Sequence, residues 1–94
     1  MIVSFRDKAT EALYRGQNVA KLQGIRRQAE KRLRILEAAV SLASLAALPS
    51  NRLETLRGDR NGQYSIRINR QWRICFRWLP ADFGPSDVEI VDYH

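Results

Sequence analysis

The sequence predicts an α+β domain: a short N-terminal strand, two helices, and then an antiparallel meander that the helices cover on one face. Two observations carry this. Between Leu22 and Ala43 apolar residues recur every three or four positions, the period of an amphipathic helix, and from Leu53 onward the period falls to two, that of half-buried strands. The order, helices and then a run of strands, is the pattern of helices gathered on one side of a sheet. A length of 94 residues suits one domain over 1–94 rather than two.

Taken in order, residues 2–5 read as a short first strand. Asp7 is placed to cap a helix over 8–15, and Gly16 to stop it. Asn18 is expected to cap a second, longer helix whose Leu22, Ile25, Ala29, Leu33, Leu36, Val40 and Ala43 form one core-facing stripe. Its other face shows Arg26, Arg27, Glu30, Lys31, Arg34 and Glu37 to solvent. Gly24 weakens that helix by about 1 kcal/mol, and helical character should run through Leu45 and end before Pro49. Strands follow at 53–57, 63–69, 71–79 and 87–92. Residues 58–62 supply the first turn, with Asn61-Gly62 its strongest signal, and 79–86 the last loop.

Composition narrows the function. A single cysteine, Cys75, excludes an internal disulfide, and with one histidine, His94, it makes no Cys/His metal site, so no metal and no cofactor are expected. The longest uncharged apolar stretch has 12 residues, too short to span a bilayer, and the N-terminus does not resemble a signal peptide; no membrane partner and a cytoplasmic location are the expectation. The formal net charge is +6, carried by 13 Arg and only 3 Lys. Arginine is the planar, bidentate residue suited to phosphate. By segment the charge is +2 over 1–25, +3 over 26–51, +5 over 52–77 and −4 over 78–94, so an Arg-rich stretch precedes an acidic tail. That is the footprint of a polyanion binder.

The hairpin between the central strands has a readable register. Tyr64, Ile66 and Ile68 share one face of their strand, and Trp72, Ile74, Phe76 and Trp78 one face of the next. Both sets reach the core only if the loop has an odd length, most simply Asn69-Arg70-Gln71. The register then pairs Ile68 with Trp72, Ile66 with Ile74 and Tyr64 with Phe76, and on the other face sets Arg67 opposite Arg73 and Ser65 opposite Cys75. Like charges directly opposite destabilise a strand pair, and a bound phosphate would offset the repulsion. Breaks of this kind mark functional sites.

The chain ends in Asp92-Tyr93-His94, a carboxylate, a phenol and an imidazole. Beside an Arg-lined sheet face these are groups that RNA cleavage needs, with proton transfers at the 2′-hydroxyl and the leaving 5′-oxygen and cations on the phosphorane. Leu56-Arg57-Gly58-Asp59-Arg60, Tyr64-Ser65-Ile66-Arg67-Ile68-Asn69, Gln71-Trp72-Arg73-Ile74, Phe76-Arg77-Trp78 and Val91-Asp92-Tyr93-His94 together closely resemble the HigB-type toxins of bacterial toxin-antitoxin systems, within the RelE/ParE superfamily. The resemblance extends over most of the chain.

It implies a RelE-like fold and a ribosome-dependent, metal-independent endoribonuclease that cuts mRNA in the A site. The implied partners are a helix-turn-helix antitoxin of HigA type, the ribosome with bound mRNA, and operator DNA through the antitoxin. Carried over by position, Arg73 matches the catalytic arginine. Asp92, Tyr93 and His94 match the functional C-terminal triplet, with Asp92 or His94 in acid/base roles and Tyr93 orienting or stacking on a base. Arg57 matches an RNA-contacting position, and Arg60, Arg67 and Arg77 extend the basic surface. Glu54 departs from the pattern, since well-studied relatives carry histidine there; a glutamate can act as general base but repels phosphate. The alternatives are a ParE-like gyrase poison of the same fold and a non-catalytic RNA- or DNA-binding module.

Overall fold

The structure, a computed structural model, describes residues 1–93. A four-stranded antiparallel sheet in the order β1-β2-β3-β4 with helices makes the predicted α+β architecture, with three α-helices where two were expected. Helix α1 spans Lys8–Tyr14; the Asp7 carboxylate accepts from the Thr10 amide at 3.1 Å, and Gly16, at φ +86°, takes the left-handed turn that ends it. The expected strand at 2–5 is reduced to a single parallel bridge between Phe5 and Val88. The N-terminal segment still lies along the sheet, bonded from Val3 N to Pro85 O and from Val88 N to Ser4 O.

The second helix differs from expectation at both ends. It opens as a 3₁₀ turn over Ala20–Ile25, where Gly24 sits, and becomes α2 only over Arg26–Ala38. Asn18 does not cap it; its side-chain oxygen accepts instead from the Arg26 guanidinium. At the other end Ser41 competes with the helix by starting a new one. Ser41 and Ser44 exchange side-chain-to-backbone bonds in a capping box, and α3 over Leu42–Ala46 leaves in a new direction. The stripe therefore holds from Leu22 to Leu36 and fails beyond, where Val40 is 83% exposed.

Strands β1 (Glu54–Thr55), β2 (Tyr64–Arg67), β3 (Trp72–Arg77) and β4 (Ser86–Asp92) form the sheet, with β1 much shorter than the run at 53–57 suggested. The β2–β3 register is the predicted one: Tyr64 with Phe76, Ser65 with Cys75, Ile66 with Ile74 and Arg67 with Arg73. One face of the sheet carries Ile66, Ile74 and Phe76 against Leu13, Leu22, Leu33 and Leu36 of the helices. The turn before β2 is built on Asn61 at φ −55°, ψ 134° and Gly62 at φ +89°, type II geometry rather than a primed hairpin turn.

Polar groups tie the helices to the sheet. The Thr10 hydroxyl, fully buried, accepts from the Ile90 amide at 2.9 Å and joins α1 to β4. Asn51, also fully buried, donates to the Leu45 carbonyl at 3.0 Å and accepts from Arg32 at 2.9 Å, fixing α3 against α2. The Glu37 carboxylate accepts from the Tyr14 hydroxyl at 2.7 Å and from the Ile2 amide at 3.2 Å. No helix among the described residues is long and apolar enough to cross a membrane.

Thr10→Val keeps the volume but strands the buried Ile90 N–H, and should cost about 1–3 kcal/mol in urea unfolding. The Glu37 carboxyl is held below its ordinary value of 4.5, first by the Tyr14 hydroxyl and then by the Ile2 amide against an opposing burial effect. Its folded value lies below its unfolded one, so the stabilisation is complete above about pH 4.5 and fades as the pH falls through the folded value. Stability curves of wild type and Glu37→Gln measured against pH should therefore converge in acid.

Candidate active site

Alternation along the strands decides which side chains meet on the face away from the helices. Glu54 pairs with Ser65, Arg67 with Arg73, and Arg73 with Val91, so all five lie on that face. Two positions beyond Val91, Tyr93 falls on it too. These residues do not form an open basic plane. Ser65 and Cys75 are fully buried, and Arg73 is only 8% exposed.

Arg73 lies down on the sheet instead of splaying into water. Its Nε donates to the Ser65 hydroxyl at 2.7 Å, and Nη2 donates to the Arg52 carbonyl and, at 3.4 Å, to the Ser65 carbonyl. The third nitrogen, Nη1, faces the Glu54 carboxylate at 3.7 Å, an ion pair too long for a hydrogen bond. Burial pulls the Arg73 pKa below its ordinary value, and the Glu54 charge opposes that pull. The group stays cationic across the physiological range.

Around this guanidinium a cleft of about 330 Å³ is lined by Arg52, Glu54, Arg67, Asn69, Arg70, Arg73 and Tyr93. Arg52 reaches it from a left-handed conformation, φ 45° and ψ 55°, at the end of the 3₁₀ turn Pro49–Asn51. That conformation turns its carbonyl toward Arg73. The opposite wall depends on the hairpin loop. The Asn69 side-chain oxygen accepts from the Gln71 and Trp72 amides at 2.8 and 2.9 Å, and the Gln71 carbonyl in turn accepts from the Tyr93 amide at 2.8 Å.

Of the residues singled out from sequence, the cleft therefore gathers Arg73, Arg67, Glu54 and Tyr93. Asp92 pairs with Trp72 across β3, so alternation points it to the other side, and its carboxylate accepts from the Gln71 side-chain Nε2 at 2.9 Å. His94 lies outside the described residues. Arg60 and Arg77 sit at the far end of the same face in a second cleft with Arg6, Asp59, Gln63 and Glu89. There they are engaged by carboxylates, Arg60 with Glu89 at 3.2 Å and Arg77 with Asp87 at 3.6 Å. Arg57 is exposed and lines neither cleft.

Sequence reasoning missed Arg52, Ser65, Asn69 and Arg70 as parts of the site. Only the loop position of Asn69 and Arg70 carried a signal. Cys75, beneath this face, has its thiol pushed up by burial, which leaves it unreactive. Among the described residues no group of His, Cys, Asp and Glu is disposed to hold a metal ion.

Comparison with known proteins places the chain in a family. Residues 3–94 match the model of a family described as the RelE-like toxin of the type II toxin-antitoxin system HigB. Toxin HigB-1 of Vibrio cholerae serotype O1 is 36% identical over 81 residues, covering 84% of this chain and 85% of the relative. Endoribonuclease HigB of Proteus vulgaris is 30% identical over the full length of both chains. Among solved structures, a YoeB/ParE toxin from Agrobacterium tumefaciens superposes with a TM-score of 0.52 over 99% of this chain and 97% of its own, at 16% identity, a likeness of fold.

The left-handed backbone at Arg52 costs a non-glycine residue about 1 kcal/mol or more. Arg52→Gly should hold or raise the melting temperature, since its carbonyl can still accept from Arg73, whereas Arg52→Val should lower it. Thermal unfolding of the two variants checks the assignment.

Proposed function

Because the chain belongs to the RelE-like HigB toxins of type II toxin-antitoxin systems, we propose that it is an endoribonuclease that cuts mRNA in the ribosomal A site. One observation carries this reading: a tethered arginine turns its Nη1 edge into a cleft that also holds Arg67, Glu54 and Tyr93. Cleavage by this chemistry moves the 2′-hydroxyl proton to a base while the 2′-oxygen bonds to phosphorus. The P–O5′ bond breaks, and the leaving 5′-oxygen takes a proton from an acid. Negative charge builds on the phosphoryl oxygens in between, and Arg73 and Arg67 neutralise it. This sequence needs no metal.

Glu54 acts as the base, since its carboxylate is exposed and stands beside the phosphate position defined by Arg73. His94 supplies the proton to the leaving group, because Asp92 is turned to the other side of the strand and bonded to Gln71. Tyr93 stacks on or orients a base at the mouth of the cleft, held by its amide bond to Gln71. Arg57, exposed on the same flank of the sequence as β1, contacts RNA from outside. Arg60 and Arg77 serve the RNA-binding surface only after exchanging their carboxylate partners for phosphate.

A shallow cleft in so small a protein explains a need for the ribosome: rigid presentation of one codon replaces the substrate grip that an enclosed site provides. The family implies an antitoxin partner. We assign it to the helix-turn-helix, HigA-type class, with operator DNA reached through it and the toxin acting in the bacterial cytoplasm.

Primer extension on mRNA after induced expression should reveal new 5′ ends inside translated codons, lost with Arg73→Ala and with His94→Ala. Glu54→Gln should slow cleavage by about 10²- to 10⁴-fold, the usual loss for one acid/base group. Growth arrest over intact mRNA would overturn the proposal, and inhibition of gyrase supercoiling by the pure protein would redirect it to the gyrase-poison class.

A further inference from the structure

We infer that Ser65 is the positioning residue of the cleft: with the Arg52 carbonyl it locks the Arg73 guanidinium so that Nη1 alone is presented to an RNA phosphate. The inference rests on the role given to Arg73 above and deepens it. A guanidinium has five N–H donors. At Arg73 the Nε donor goes to the Ser65 hydroxyl at 2.7 Å, while Nη2 is taken by the Arg52 and Ser65 carbonyls. Among the described residues Nη1 makes no hydrogen bond, and the carboxylate paired with it is that of Glu54 at 3.7 Å. A phosphate oxygen approaching Nη1 thus meets two free donors already aimed.

The burial of Ser65 makes this a lock rather than a passing contact. The residue is fully inaccessible, so water cannot replace its hydroxyl. No buried side-chain nitrogen or oxygen among the described residues lacks a partner, and Ser65 is what satisfies Arg73 Nε. Its backbone is fixed as well, paired with Glu54 on one side and Cys75 on the other at the centre of the sheet. A short acceptor on a rigid strand sets the guanidinium plane. Without it the Arg73 side chain can rotate about its last bonds, and Glu54 gains in hold over it.

The test compares wild type with Ser65→Ala and with Ser65→Cys, the latter nearly isosteric but a far weaker acceptor. In ¹H–¹⁵N spectra of the purified toxin, the Arg73 Nε–H resonance, assigned by its absence in Arg73→Lys, should be sharp and slow to exchange. Either Ser65 variant should shift it and speed its exchange. Single-turnover cleavage of mRNA on programmed ribosomes should slow by about 10- to 100-fold, the scale of a misplaced catalytic group, with the half-saturating toxin concentration changed less than about threefold. An unchanged Arg73 resonance in a folded Ser65 variant would overturn the inference, as would loss of binding with an unchanged rate at saturation. If Arg73→Ala itself cleaves normally, the catalytic role given to Arg73 fails, while the spectra still decide whether Ser65 holds Arg73; if the wild type leaves mRNA intact, the proposed function fails. Should Ser65→Ala not fold, Ser65→Cys decides.

Discussion

The loop Asn69-Arg70-Gln71, closed by the Ile68 N to Trp72 O bond between β2 and β3, fixes which residues face the helices and which face the cleft, and the rest of the molecule is arranged around that choice. It sets Ile66 against Ile74 and Arg67 against Arg73. A slip of one residue would send the isoleucines outward and Arg73 into the helices. Asn69 guards the register by bonding the Gln71 and Trp72 amides with a single side-chain oxygen. Because β4 is paired to β3 and Tyr93 to Gln71, the same loop also sets where the C-terminal strand ends. Core and cleft are two faces of one constraint.

That constraint places a guanidinium where water is scarce. Burying a charge costs several kcal/mol unless hydrogen bonds and a counter-charge replace its hydration. Arg73 receives three acceptor contacts from Ser65 and the Arg52 backbone, together with a carboxylate at 3.7 Å. The compensation is incomplete in an informative way, since its pKa is still drawn below the ordinary value by burial. Arg67, directly opposite, adds repulsion. A site with this balance is short of one anion, and strain at the left-handed Arg52 is the backbone's share in assembling it.

The strand half of the molecule was legible because period-two patterning and an odd loop leave a single register that buries both apolar sets. Pairs as far apart as Tyr64 and Phe76 followed from that alone. Helix boundaries were less so: continuing the 3.6-residue stripe through Val40 ignored Ser41 and Ser44, whose capping box outcompetes propensity. Ser65 was silent because a serine in a strand has no pattern of its own; its role exists only once Arg73 lies across it. Arg52 was silent for a related reason, as what it supplies is a carbonyl, and no side chain advertises that. The parity of β4 was available and decisive. Neighbouring residues on a strand point to opposite faces, so Tyr93 joins Val91 at the cleft while Asp92 turns to Gln71.

The acidic tail, finally, explains why the basic sheet face has one uncompensated end and not two. Arginines populate both clefts. At the far end, however, β4 returns carboxylates to the same face: Glu89 meets Arg60 and Arg6, and Asp87 meets Arg77 from a left-handed turn beside a break in the β3–β4 register. At the near end β4 contributes Val91 and Tyr93, and its remaining acid, Asp92, lies on the other side. Four arginines there face one glutamate among the described residues. The net charge of +6 is therefore compensated by carboxylates at one end of the face and left in excess at the other. The field points along the sheet toward Arg73, and the strand that carries the negative charge is what aims it.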